Sequence, residues 1–489
     1  MWYDRTNILN WRKWVSHPVG RMGKEKIRNT FTGSIGFVLA AAGSAVGLGN
    51  IWRFPYLAAK DGGGLFLVIY LVLALTFGFA LLTTEVAIGR KTKQSPLTAY
   101  SKLKKGWGFL GVLSCLVPLI IMPYYCVIGG WVLKYLITYL TGNGALAAGD
   151  DYFTGYITGE TEPILMMVLF LALVAFVVIW EVNKGIETTS KIIMPILLLL
   201  VIGIAIFSLT LRHTDAEGIT RTGLEGLKIY VVPSLEGLTV QKFFTVLMDA
   251  MGQLFYSLSV AMGIMVAYGS YVKDDANLVT SINQIEIFDT AVAFLAGVMI
   301  IPAVYSFMGT EGMEASGPGL MFRSLPKVFQ AMGKVGNIIG GLFFALILFA
   351  ALTSAVSIIE AVVSSLMDQF HISRIKAVLI ETGIALVVGS LVCLGYNKLY
   401  FEITLPNGVQ AQLLDIMDYI SNNALMPLVA IATCILIGWI LKPKTVLEEV
   451  EKTGHKLGRK KLYVIMIKFI APLLLLILLL KSLGILTMI

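Results

Sequence analysis

Apolar residues run through this chain in long uninterrupted blocks, not in short amphipathic stripes. A membrane-crossing helix needs about 20 mostly apolar residues. Blocks of that length occur at 33–58, 63–88, 107–141, 163–181, 189–211, 243–271, 277–309, 337–367, 374–396, 412–441 and 462–486. Proline and glycine inside them do not exclude helix, because neighbouring helices re-satisfy the freed backbone groups. The pattern predicts an all-α polytopic membrane protein with about 11 transmembrane helices. It divides into a tail (1–32), a ten-helix core (33–441), a basic loop (442–461) and a peripheral last helix (462–489). The core splits into five-helix halves at 33–211 and 243–441.

Composition agrees with the pattern. Hydrophobic residues make up 57% of the 489 positions and charged residues 14%, against about a quarter charged in a soluble domain. Mean hydropathy is +0.81. The net charge of +8 fits cations gathered in cytoplasmic loops, and no basic face with interleaved aromatics points to nucleic acid. Arg12, Lys13, Arg21, Lys24, Lys26 and Arg28 mark the tail, and Arg90, Lys91, Lys93, Lys102, Lys104 and Lys105 the loop after the second span. The loop after the third span carries only acids, among them Asp150, Asp151, Glu160 and Glu162. Lys442, Lys444, Lys456, Arg459, Lys460 and Lys461 make the tenth-to-eleventh loop basic again. Positive-inside then puts the N-terminus in the cytoplasm and, with an odd span number, the C-terminus outside a cell membrane. Trp2, Trp11 and Trp14 read as interfacial anchors.

Two spans are unusual, and they open the two halves. The first contains Gly43-Ser44-Ala45-Val46-Gly47-Leu48-Gly49-Asn50, and each helix-interior glycine costs roughly 1 kcal/mol relative to alanine. The sixth contains Ser257-Leu258-Ser259-Val260-Ala261-Met262-Gly263. Small residues also serve close helix packing. Interrupted helices at matching positions of two halves point instead to a transporter binding site.

Ionisable residues inside spans are functional candidates. Arg53 follows the first break, Asp289 lies in the seventh span, Glu360 in the eighth and Asp418 in the tenth. Glu85 and Glu181 lie near span ends, where reaching the interface is an equal alternative. Thr353 and Ser354 either bond their own helix carbonyls or face a hard cation, which takes oxygen ligands. The four cysteines (Cys115, Cys126, Cys393, Cys434) fall in apolar runs as packing residues. No HExxH or P-loop occurs, so a metal enzyme and an ATP-driven pump lack support.

The run Gly43–Pro55, followed by Lys60-Asp61-Gly62-Gly63-Gly64, resembles the first-helix signature of the neurotransmitter:sodium symporter family. Tyr124-Tyr125, Gln253–Ser259 and Leu352-Thr353-Ser354 follow in the family's order. The resemblance covers roughly residues 28–441 and is nearest the bacterial eleven-helix amino-acid transporters. It implies a five-plus-five inverted repeat with broken first and sixth helices, and no enzyme activity. It implies about two sodium ions, one at Ala45, Asn50, Ser257 and Asp289 and one at Gly43, Val46, Ala350, Thr353 and Ser354. An amino-acid site would be lined by Ser44, Ala45, Leu48, Gly49, Ile121, Tyr125, Tyr256, Ser257, Ser259, Met262, Ser354 and Ile358. Arg53 and Asp418, with Gln253 and the lid Tyr256, would form the outer gate. Arg28 and Asp368, with Phe31 and Tyr271, would form the inner one. Phe31 stands where the family usually has tryptophan.

Asp289 is a second departure, since chloride-dependent members carry a neutral residue there. A carboxylate at that place supplies the negative charge itself, so no chloride requirement is expected. Leu48, Ile121, Met262 and Ile358 make the side-chain end of the pocket apolar. The expected cargo is a neutral hydrophobic L-amino acid, with aromatic and branched aliphatic substrates both open. Ala261, where the family often has glycine, would shrink that space. A proton-driven transporter on the same plan and a channel or sensor are the alternatives. Asn50 and the hydroxyls of Thr353 and Ser354 argue against the first, and the lack of filter-like repeats or a soluble domain against the second. Oligomeric state is left open.

Overall fold

The computed structural model describes residues 29–486 apart from 216, 236 and 315–317. The tail tryptophans and Arg28 lie outside the described residues. Among those described, nine helices are long and apolar enough to cross a membrane, from Gly64–Thr92 to Lys460–Ser482. A tenth arises if Ser34–Ala45 and Gly49–Lys60, which meet at 54°, are taken as one bent span. The expected sixth span is Val240–Ser257 and Ile264–Ser270, separated by an irregular stretch. All eleven expected blocks are thus helical, with ends shifted by a few residues. The only described strands pair as two short hairpins, Arg212–Thr214 with Thr220–Thr222 and Ile403–Thr404 with Gln410–Ala411.

The two broken spans sit at the centre. Ser44 of the first donates its hydroxyl to Ser259 of the sixth at 3.0 Å. Gln253 Nε2 of the sixth donates to the Gly49 carbonyl at 3.0 Å. The long third span (Gly108–Leu140) and eighth span (Lys334–Phe370) pack against each other and flank this pair. Pro118 and Pro123 lie inside the third span without ending it. The second span packs on the lower half of the sixth through mutual glycines. A Cβ on Gly89 would stand 2.1 Å from the Val266 carbonyl oxygen, and one on Gly269 would stand 2.3 Å from that of Val86. Backbones that close are reached only without side chains.

Glu85 does not reach an interface; it is 2% exposed. Within the basic loop, the helix Lys444–Val450 forms and is clamped to the core. Arg90, at the end of the second span, donates Nε to Glu449 Oε1 at 2.7 Å. Arg459 donates to both carboxylate oxygens of Glu286 in the seventh span at 3.0 and 2.7 Å. Its guanidinium also lies 3.7 Å from the Phe79 ring centroid. Such fork-to-carboxylate pairing is the strong form of a charged hydrogen bond.

Candidate functional site

Both breaks leave backbone groups without helical partners, and these converge on one place. The first helix stops at Ala45; Val46 and Gly47 are irregular before the chain resumes as helix at Leu48 and a π-helical turn from Gly49. In the sixth, Ser259, Ala261 and Gly263 take φ of 53°, 62° and 74°. Left-handed backbone costs an L-residue about 1–2 kcal/mol, so two non-glycine residues there mark a conformation held by its surroundings. One holding contact is the Ala261 N–H, which donates to Glu85 Oε1 at 2.6 Å. Residue type alone made Glu85 a candidate, but its partner is set by tertiary packing.

Asp289, wholly buried, accepts hydrogen bonds from Asn50 Nδ2 at 2.8 Å and Ser257 Oγ at 2.7 Å. Tyr70 donates to its other oxygen at 3.4 Å. Asn50 Oδ1 faces the same spot and accepts from the Gly47 N–H at 3.4 Å. The seventh, first and sixth spans thus bring together a carboxylate, an amide oxygen and a hydroxyl. That is an oxygen-donor set of the kind a hard monovalent cation takes. The four side chains come from segments 239 residues apart at the widest.

A second cluster lies between the first and eighth spans. Ser354 Oγ reaches the carbonyls of Gly43 at 3.4 Å and Ser44 at 3.1 Å. Thr353 Oγ1 donates to its own helix, at Phe349 and Ala350, as membrane hydroxyls commonly do. A Cβ on Gly43 would come within 3.3 Å of the Thr353 side chain, so both side chains stand beside the buried Gly43-Ser44 backbone.

Between these clusters lies a closed cavity of about 20 Å³, lined by all twelve residues expected at the substrate site together with Gly47 and Asn50. That space holds little more than one water, which needs about 10–15 Å³. The buried Tyr125 hydroxyl meets no hydrogen-bond partner of good geometry among the described residues, with Ser354 and the Leu48 backbone as its neighbours. The aromatic ring of Tyr256 forms the roof. A Cβ on Gly49 would stand 2.8 Å from its Cδ1 atom. Above it a cavity of about 620 Å³ opens, lined in part by Arg53, Asp249, Asn422 and Lys481.

The expected outer pair is not a direct one. Among the described residues, Asp418 accepts from Tyr124 OH at 3.2 Å and Asn422 Nδ2 at 2.6 Å. Among the described residues Arg53 forms no ion pair within 4.0 Å, and it lines the upper cavity. At the other end Phe31 is 2% exposed and packs edge-on against Tyr268 and Tyr271, with centroids 5.8 and 6.2 Å away. Tyr271 donates to Glu360 at 2.6 Å, and Glu360 is held in turn by Arg374. Asp368 accepts from the Ser95 N–H at 2.7 Å. Sequence reasoning missed Glu286, Glu381 and Arg374. Glu286 and Glu381 lie within apolar blocks, and that position was the signal available for both.

A profile of the sodium:neurotransmitter symporter family matches residues 28–155 and 156–488. The chain belongs to that family. The sodium-dependent transporter YhdH of Bacillus subtilis is 34% identical over 463 residues, covering 93% of this chain and 97% of YhdH. The sodium-dependent transporter MJ1319 of Methanocaldococcus jannaschii is 32% identical, covering 88% and 86%. The human sodium- and chloride-dependent GABA transporter 2 is more distant, at 26%. The crystal structure of MhsT in complex with L-phenylalanine superposes with a TM-score of 0.80 and 35% identity, covering 93% of this chain and all of that one. The family is one of sodium-dependent membrane transporters, so this chain is a polytopic sodium-coupled symporter.

Proposed function

We propose that this symporter imports a neutral hydrophobic L-amino acid by alternating access, with about two sodium ions and without chloride. The observation that carries the reading is the buried cluster of Asn50, Ser257 and Asp289 against the wall of the apolar-ended cavity. The cluster, with the Ala45 carbonyl, would hold one sodium; the Gly43, Val46 and Ala350 carbonyls, with Thr353 and Ser354, would hold the other. Backbone N–H groups at the first break would receive the substrate carboxylate, as helix N-termini receive anions. Tyr125, whose hydroxyl is otherwise unmatched, would donate to it as well. The substrate side chain would lie against Leu48, Ile121, Met262 and Ile358, none of them charged. The L-phenylalanine bound in the MhsT structure supports a hydrophobic cargo. Tyr256 would close the site from above, and Phe31 with Tyr271 from below.

Asp289 would supply the negative charge that removes a need for chloride. Each unit charge moved down about 100 mV releases about 2.3 kcal/mol, so two sodium ions supply about 4.6 kcal/mol before their own gradient counts. That sustains a substrate ratio above about 10³, since about 1.4 kcal/mol is tenfold. The tail and the 442–461 loop would face the cytoplasm, residues 33–441 would form the transporting core with its repeats at 33–211 and 243–441, and the last helix would leave the C-terminus outside.

Uptake of a labelled panel of neutral amino acids into liposomes tests the reading, with sodium or potassium outside and gluconate replacing chloride. Accumulation of hydrophobic amino acids with sodium alone, unchanged in gluconate, is expected. Uptake equal in both cations but driven by a proton gradient would overturn the sodium coupling. Loss of uptake in gluconate would overturn the role given to Asp289.

A further inference from the structure

Between the end of the tenth span, the helix Lys444–Val450 and the start of the eleventh span lies a cavity of about 400 Å³, which shares no lining residue with the candidate substrate site. Four lysines line it (Lys442, Lys444, Lys460 and Lys468) with two acids, Glu448 and Glu451. Two lysines are matched internally. Lys444 pairs with Glu448 at 3.5 Å, and Lys460 with Glu451 at 3.1 Å. Neither Lys442 nor Lys468 has an ion-pair partner among the described residues, so the cavity keeps a net charge of two positives. Its floor is apolar, through Leu447 and Val464.

Lys468 is the unusual member. It belongs to the apolar span Lys460–Ser482, two turns from its start. Its ammonium lies 5.5 Å from the centre of the Trp439 ring, and the Trp439 indole donates to the Lys468 carbonyl at 3.1 Å. Trp439 and Phe469 pack edge to face at 5.4 Å, and each is 55% exposed. Ile440 and Ile465 beside them are also exposed. In a membrane protein such an outward apolar face meets acyl chains, and paired tryptophan and lysine mark the headgroup level. A charged cavity directly joined to a lipid-facing aromatic pair matches a molecule with an anionic head and a hydrocarbon tail.

We propose that this cavity binds one anionic phospholipid, its phosphate held by Lys442 and Lys468 and its chains lying on Trp439 and Phe469. Basic pockets between transmembrane helices are suited to such headgroups. The docked helix that forms one wall is the one clamped to the core through Glu449 and Arg90. The bound lipid would therefore brace the tenth-to-eleventh loop against the second span.

Native mass spectrometry of the full-length chain, with cardiolipin or phosphatidylcholine added, reads the site directly and needs no transport. Wild type is expected to retain one cardiolipin and to discriminate against phosphatidylcholine. The double variant Lys442→Asn, Lys468→Gln should bind cardiolipin about 30-fold more weakly, since each interfacial lysine contributes about fivefold. Lys104→Gln with Lys105→Gln removes the same charge from another loop and should leave retention unchanged. Equal losses in both double variants would mean general charge attraction and would overturn the site. Displacement of the lipid by inorganic phosphate at millimolar concentration would make it a phosphate site, and would overturn the lipid assignment. Sodium-dependent amino-acid binding by each variant reports folding independently of lipid. A failed lipid result with intact amino-acid binding therefore leaves the transport reading in place.

Discussion

The left-handed break in the sixth span rests on one side chain from the second, and Glu85→Ala tests how much. Ala261 is fully buried with φ of 62°, and its N–H donates to Glu85 Oε1 at 2.6 Å. Removing the carboxyl leaves that buried N–H without an acceptor, which costs about 1–3 kcal/mol. The cost falls on the conformation that sets Ser259 and Met262 against the cavity, so it reduces the population able to bind. Apparent affinity drops by the same factor as that population, which makes about 5- to 150-fold, with 1.4 kcal/mol per decade. Glu85→Gln keeps an oxygen at the same place and should recover most of the loss. Ala261→Gly relieves about 1 kcal/mol of left-handed strain and should partly rescue Glu85→Ala. The assay is equilibrium binding of a labelled hydrophobic amino acid to purified protein at saturating sodium. Equal losses in Glu85→Ala and Glu85→Gln would refute the reasoning, because the acceptor oxygen would then be irrelevant.

Gly49→Ala places a methyl 2.8 Å from the Tyr256 ring; overpacking of this kind costs about 1–3 kcal/mol, and amino-acid binding should weaken at least in proportion while sodium-free stability changes less. Breaking the clamp with Arg459→Leu should lower the melting temperature. Arg459 is 29% exposed and Glu286 3%, so the expected loss is about 1–3 kcal/mol, below the 3–5 of a fully buried pair. The double variant with Glu286→Leu should restore much of it, since no unpaired carboxylate is then left behind. Met262→Phe narrows the apolar end of the cavity and should abolish binding of the largest accepted amino acid first; a uniform loss across substrate sizes would show that Met262 does not shape the pocket.

Much of this protein was legible from residue order, and for clear reasons. Burial in lipid demands long apolar blocks, so the helical segments among the described residues could be placed within a few residues of their ends. Breaks in helices need residues with small or hydroxyl side chains, so Gly43–Asn50 and Ser257–Gly263 stood out before any fold was known. A charge in an apolar span is costly, so Asp289, Glu360 and Asp418 were visible as candidates. The twelve residues that the family resemblance implies for the substrate site line one cavity; eight come from the two broken spans, and the other four, Ile121, Tyr125, Ser354 and Ile358, lie in the third and eighth spans, where no break marks them.

What tertiary structure alone decided are the partners. Hydropathy places Glu85 near the end of an apolar block and leaves its burial open; only the packed structure shows it 2% exposed and accepting from the Ala261 N–H, 176 residues later. The basic loop reads as cytoplasmic because its lysines and arginines obey the charge rule; that Arg459 also pairs with the core follows from Glu286, Asn283 and the Phe79 ring meeting at one point. Asp418 and Arg53 attract each other by charge, yet the Tyr124 hydroxyl and Asn422 amide occupy the carboxylate. Local sequence sets which groups must find a partner, because desolvation acts on each residue where it stands. Which partner it finds depends on separations of a few ångströms between distant segments, and only the packed helices set those.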